Sequence, residues 1–263
     1  MNINGILTQF AQRELVLGHD DKERERINSS LTHLEKILKD RLGNTVLGFV
    51  RFGSYTRNTI LPRMYDQNSD VDLMVIFDKD NYNYSAGTYR KWIMDEVSKA
   101  YPNSLSKKDH PVVKLELNHI MFDIVPAYIS NSAWSGKTFY IPDVRDGWRT
   151  TVPNDLNDAL AQKNQSYGNN IVRNTIRLCK HWNANYGYVH ESYLMEKQIL
   201  NKIFWHGDNL YDKFISVVGE IGRDYAGVNQ ALSWINKYKG DYFTPANENK
   251  QLEWLQKLLP GLK

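Results

Sequence analysis

The chain has 263 residues, with 33 Lys and Arg against 30 Asp and Glu, seven His and one Cys. The lone Cys179 excludes an intramolecular disulfide and a cysteine-rich zinc site, and 41% hydrophobic residues exclude a disordered chain. A net charge of +3 demands no polyanionic partner, and the length suits one large domain or two intimate ones.

The N-terminal segment has neither the basic start nor the long apolar core of a secretory signal, and no stretch is apolar enough for a membrane span. A soluble, cytoplasmic protein with no membrane partner is therefore expected. Ile27, Leu31, Leu34, Leu38 and Leu42 recur at helical spacing and predict a long helix from about residue 21, stopped at Gly43-Asn44. The texture then turns to strand: Val46 to Phe52, the turn Gly53-Ser54, a long loop carrying Pro62, Asn68 and Ser69, and a second strand from Asp70 to Phe77. A helix from about Thr88 to Ala100 precedes two strands over 112–117 and 120–125, the second ended by Pro126. From about Pro153 the pattern is helical again, over 154–164, 169–185, 191–205, 209–221, 225–237 and 246–259, with Thr244, Pro245 and Ala246 as cap and first turn of the last. Strands gather in the first half and helices in the second. The expected fold class is α+β, a mixed-sheet lobe packed on a helical lobe with the active site in the cleft.

On a strand, residues i and i+2 face the same way, so Asp70 and Asp72 present adjacent carboxylates. Their repulsion calls for compensation, which a divalent cation such as Mg²⁺ supplies together with substrate phosphates. Alone, the D-x-D pattern is more readily a loop cap at Asp70 beside a solvated Asp72. Its context adds to it. Gly53-Ser54 follows a strand, where backbone N–H groups and a hydroxyl can approach phosphate oxygens. Asp123 lies inside the apolar run from His119 to Val125, where a lone charge is costly unless paired or metal-bound. If that strand lies beside the one from Asp70 to Phe77, three carboxylates meet. Such a set can hold two metal ions about 3.5–4 Å apart for an in-line phosphoryl or nucleotidyl displacement.

The series Gly53-Ser54, Asp70-x-Asp72 and a distal Asp123 resembles the signature of the polymerase-β-type nucleotidyltransferases. The resemblance implies that Gly53 and Ser54 contact the donor triphosphate. It also implies that Asp70, Asp72 and Asp123 bind two Mg²⁺ (or Mn²⁺) ions, with Asp123 helping to activate the attacking hydroxyl. Many relatives have Gly where this chain has Asn58, a residue that tolerates left-handed backbone. The segment Ile176 to Asn183 resembles the L-I-R-L-x-K-x-W helix of oligoadenylate synthases and bacterial cyclic GMP-AMP synthase-like enzymes, which assigns Lys180 to the donor triphosphate. Glu191 to Glu196 resembles their S-Y segment, in which Ser192 touches phosphate and Tyr193 stacks on a base.

The likeness runs from Phe52 to about Phe204 and points to the CD-NTases, the SMODS or DncV-like synthases. It implies a catalytic lobe over 1–150, including the long N-terminal helix, and a helical lobe over 151–263. The implied enzyme polymerises NTPs or dNTPs into a cyclic or linear oligonucleotide, releases pyrophosphate and makes a second messenger for bacterial antiphage defence. Its partners are nucleoside triphosphates and the short oligonucleotide product, with room for an effector protein that responds to that product. There is no zinc-binding insertion of the animal DNA-sensor type, so no nucleic-acid activator is expected. An aminoglycoside-type antibiotic nucleotidyltransferase and a non-catalytic nucleotide-binding or antitoxin-like protein stand as alternatives. For single residues the plainer readings are a surface Lys180, an N-cap Ser192, a core Tyr193 and an ordinary interhelix His181. Arg57 and Lys114 are further phosphate or substrate contacts to consider.

Overall fold

The computed structural model describes residues 2–17, 21–132, 136–240 and 245–263. The contacts divide the chain into two compact units: one of residues 1–19, 64–67 and 156–263, the other of residues 20–63 and 68–155. A boundary at residue 150 leaves the first nineteen residues with the strands. The contacts group them with the helices instead, because α1 (Ile3–Gln9) and the π-helical turn Phe10–Glu14 bury Leu7, Phe10 and Ala11 there.

The second unit is a sheet backed by helices. The long helix α2 (Asp21–Leu42) buries Ile27, Leu31, Leu34 and Leu38 completely, as their spacing requires, and gives way at Gly43 in a left-handed conformation. Strand β1 (Val46–Phe52), the short helix α3 (Gly53–Thr56) and strand β2 (Asp70–Phe77) follow. Helix α4 (Ala86–Ala100) starts on a Ser85 cap and precedes β3 (Leu105–Asp109), β4 (Val112–Glu116), β5 (Met121–Ser132), β6 (Gly136–Pro142) and β7 (Trp148–Thr151).

The strand order is β1-β2-β5-β4-β3, with β6 added to the far half of β5 and β7 to β6. Among the described residues β2 and β5 pair in parallel and the other pairs are antiparallel, so the sheet is mixed. Along β2 the residues Val71, Leu73, Val75 and Phe77 share one buried face, while Asp70, Asp72, Met74 and Ile76 share the other. Met74 and Ile76 form an apolar cluster with Val125 and Ala127, so the aspartates stand at the end of an otherwise apolar stripe.

Strand β5 does not end at Pro126. Its pairing with β4 stops at Ile124 and that with β6 begins at Tyr128, so proline falls where the strand changes neighbours on that side. A missing N–H costs least at such a gap. Strands β3, β6 and β7 are absent from the sequence expectation. The helical unit continues with α5 (Asp155–Tyr167), α6 (Ile171–Asn185), α7 (Ser192–Asn201), α8 (Leu210–Ile221), α9 (Ala226–Gly240) and α10 (Pro245–Leu258). The expected Thr244 cap lies outside the described residues. No helix among the described residues is long and apolar enough to cross a membrane.

Candidate active site

The carboxylates are brought together by strand register. Asp72 is the parallel partner of Asp123, and Asp70 precedes Asp72 by two residues on the same face. On the opposite flank of β5, Lys114 of β4 is the antiparallel partner of Asp123. Lys114 Nζ lies 3.6 Å from Asp123 Oδ2 and 3.3 Å from Asp109 Oδ2. The other oxygen of Asp123, Oδ1, is buried without a hydrogen-bond partner.

Burial, reinforced by the charge of Asp70, pushes the Asp123 carboxyl up to about 6 against the opposing pull of Lys114. Burial also works against the Lys114 ammonium, yet Asp123, Asp109 and Asp70 together outweigh it and hold Lys114 above the usual lysine range. The strand beside these groups is apolar, so each charge depends on the others for compensation.

Gly53 closes the site from β1. Its φ is +75°, and a Cβ built there would sit 1.8 Å from Asp72 Oδ2 and 2.8 Å from Asp72 Cγ. Only glycine meets both demands, the left-handed backbone and the carboxylate lying against its α-carbon. Ser54 follows in α3, where its carbonyl accepts hydrogen bonds from the N–H groups of Thr59 at 3.0 Å and Ile60 at 3.2 Å. Tyr55 anchors this turn by donating its hydroxyl to Asn28 Oδ1 at 2.8 Å. Asn58 adopts the left-handed conformation expected of it, with φ 56°, and accepts a 2.6 Å hydrogen bond from Arg24. Arg57 is buried.

The donor set at the carboxylates is all oxygen, which suits Mg²⁺ or Mn²⁺, and the unpartnered Asp123 Oδ1 suits a bound cation. Among the described residues, however, no three His, Cys, Asp or Glu side chains converge closely enough to enclose a metal ion. The backbone places the aspartates side by side, and the side chains stop short of a closed cage.

The other expected site residues belong to the helical unit. Lys180 is not a surface lysine: it is buried on α6, its Nζ 3.4 Å from Oε1 of the equally buried Glu196 on α7. Ser192 is the first residue of α7 and Glu191 occupies the cap position, so Ser192 is not the N-cap. Tyr193 is not a core aromatic, being 38% exposed. His181 makes structural contacts within the helical unit. Its Nε2–H donates to the Pro260 carbonyl at 2.8 Å, its ring meets those of Phe10 and Tyr65 edge-on in a three-ring cluster, and burial lowers its pKa.

Two partners are not evident from the sequence alone. Lys114 is one cation among 33, and its pairing with Asp123 depends on antiparallel register across a loop. Glu196 was visible four residues after Ser192, a helical spacing that placed it on the same side of α7 without naming its partner.

Asp72 and Asp123 in register on adjoining strands, Asp70 two residues before Asp72, and Gly53 admitting the Asp72 carboxylate together form an all-oxygen carboxylate centre. The family model described as "Second Messenger Oligonucleotide or Dinucleotide Synthetase domain" (SMODS) matches residues 1–164, and the chain belongs to that family of nucleotidyltransferases. A probable cyclic nucleotide synthase of Bacillus cereus strain VD146 is 27% identical over 225 residues, which cover 70% of this chain and 66% of that relative's own length. Among solved structures, CdnC of E. coli MS115-1, determined with ATP, is similar at TM-score 0.65 and 16% identity, covering 99% of this chain and 98% of that one. The cyclic AMP-GMP synthase DncV of Vibrio cholerae, determined with nonhydrolyzable GTP, is similar at TM-score 0.63 and 11% identity, covering 98% and 84%. At those identities the structural likeness establishes the fold.

Proposed function

We propose that the protein joins nucleoside monophosphate units from NTPs or dNTPs into a cyclic or linear oligonucleotide that serves as a second messenger in bacterial antiphage defence. The observation that carries this reading is the register that sets Asp72 against Asp123 with Asp70 beside them, closed by Gly53. The reaction forms a bond from a nucleotide hydroxyl oxygen to the donor α-phosphorus and breaks the bond between that phosphorus and the bridging oxygen. The hydroxyl loses its proton and pyrophosphate departs with the bonding electrons.

Asp70, Asp72 and Asp123 would hold two Mg²⁺ or Mn²⁺ ions, whose chemistry is to neutralise the triphosphate and polarise the reacting oxygens. Asp123 is the carboxylate assigned to the attacking hydroxyl, the role that the family resemblance implies. Gly53 and Ser54 are assigned to the donor triphosphate. Lys180 and Ser192 are assigned to phosphates of the bound nucleotide, and the exposed Tyr193 to stacking on its base, an interaction of about 1–3 kcal/mol that tolerates any base. The partners on this reading are the nucleotides, the product and an effector protein that responds to it. The family relatives support the reading: one is named a probable cyclic nucleotide synthase and another a cyclic AMP-GMP synthase.

The test is a product assay, with purified protein, Mg²⁺ or Mn²⁺ and all NTPs and dNTPs, read by mass spectrometry. Pyrophosphate and an oligonucleotide should appear without any added acceptor, which an aminoglycoside enzyme does not produce. Asp70→Ala and Asp72→Ala should each abolish product while leaving the circular dichroism spectrum unchanged. Normal turnover by the double variant would overturn the site assignment.

A further inference from the structure

We propose that Lys114 is a built-in cation that competes with metal at Asp123, so that the carboxylate site is kept open until nucleotide and metal arrive together. The inference rests on the reading of Asp70, Asp72 and Asp123 as metal ligands. The side-chain pattern is its basis. Lys114 is locked by register as the cross-strand partner of Asp123, and its ammonium faces Oδ2 at 3.6 Å. The second oxygen, Oδ1, has no hydrogen-bond partner, so half of that carboxylate is neutralised from within the protein and half is left for a ligand. The described carboxylates correspondingly do not close into a metal cage.

The same ammonium has a second place to go. Asp109, at the end of β3, lies 3.3 Å from Lys114 Nζ and is mostly solvent-exposed, with its side chain 53% accessible. Lys114 itself is 23% accessible. It thus stands between a buried anion on β5 and an exposed anion on the sheet edge, near enough to both for a rotation of its flexible stem to shift it from one to the other. A cation arriving at Asp123 repels Lys114, and Asp109 receives it. When the cation leaves, Lys114 returns and the buried carboxylate is not left uncompensated. Lys114 is a positioning residue on this account, acting on the metal ligand rather than on the substrate.

The two flanking residues make opposite predictions, which a merely structural role for either does not. Mn²⁺ binding to the nucleotide-free protein is measured by electron paramagnetic resonance titration, independently of turnover. Lys114→Met keeps the apolar stem and removes the charge, and should tighten Mn²⁺ binding roughly three- to ten-fold. Asp109→Asn removes the exposed alternative, leaves Lys114 to Asp123 and Asp70, and should weaken Mn²⁺ binding, while Lys114→Arg should stay near wild type. With a nonhydrolysable NTP bound, the differences should shrink, since the triphosphate adds its own oxygens to the metal. Mn²⁺ binding that Asp70→Asn abolishes but Lys114→Met leaves unchanged or weakens overturns the role of Lys114 and spares the metal site. Binding indifferent to Asp70→Asn overturns the metal site and this inference with it. Should Lys114→Met fold poorly, Lys114→Gln supplies the uncharged side chain. Asp109→Asn should then weaken Mn²⁺ binding less in the Lys114→Gln background than in the wild type. An equal loss in both would overturn the exchange, since a through-space effect of Asp109 needs no lysine.

Discussion

At Gly53 a missing methyl group is a requirement of the carboxylate next to it, because Asp72 Oδ2 lies where a Cβ would stand. Gly53→Ala should therefore lower stability by about 1 kcal/mol through its left-handed backbone. It should lower turnover far more, by about a hundred-fold, because Asp72 must move to make room. Thermal melting and single-turnover rates on the same preparation separate the two effects, and a variant that melts lower but turns over at the wild-type rate would show that Asp72 has slack. The residues of this site were unevenly legible in the sequence. Asp70 and Asp72 declare themselves through a two-residue period, and Asp123 through being charged inside an apolar run. Lys114 and Glu196 did not, because a cation among 33 or an acid among 30 acquires meaning only from a partner distant in the chain.

Helix α6 shows what an element can demand of its surroundings. From Asn174 to Asn183 its described residues are buried without a break, including Asn174, Arg177, Lys180, His181 and Asn183. Among the described residues the Trp182 indole nitrogen is left without a hydrogen-bond partner, but other polar groups are answered from a neighbour: Asn183 exchanges hydrogen bonds with the backbone of His190 at 2.8 and 3.0 Å, and Lys180 takes Glu196. Replacing Glu196 with Leu leaves an ammonium buried without its carboxylate and should cost about 3–5 kcal/mol, whereas Lys180→Met with Glu196→Leu should recover most of it. Urea midpoints of the two singles and the double measure the coupling, and additive losses would mean that the pair is not a unit. The helices of this half were legible almost to their ends because apolar residues recur at their period. Strands β3, β6 and β7 were not. The sequences LSKKD, GKTFYIP and WRTT lack a sustained two-residue alternation, and their pairing with β4, β5 and β6 supplies what the pattern does not. Strand β5 was read too short because proline's missing N–H usually ends a strand, and only the change of neighbour at Pro126 reveals why it does not here.

At the scale of the molecule, sequence order and spatial grouping part company. The helical unit includes residues 1–19 and 64–67 as well as the C-terminal half, so the chain passes between the units more than once. A fragment of residues 151–263 lacks Leu7, Phe10 and Tyr65, the last two of which flank His181. It should therefore be poorly folded alone, with weak protection from proteolysis and a broad melting transition, and a sharp cooperative melt would show that these residues are dispensable. The short visit of residues 64–67 has its own consequence. Tyr65 is tied there by Glu14 Oε2 at 2.9 Å, and the buried Asp66 by the Tyr188 hydroxyl at 2.8 Å. Asp70 follows only three residues after Gln67, a tether of about 11 Å at full stretch. On the other side, Thr56 ends α3 eight residues before Met64. The first part of the interval is packed as well: Arg57, Thr59, Ile60 and Leu61 are buried, and the Thr59 and Ile60 N–H groups bond the Ser54 carbonyl. The interval between the two halves of the signature is therefore anchorage rather than spacer, and residues inserted between Ser54 and Leu61 should cost stability that insertion into a solvent-exposed loop would not.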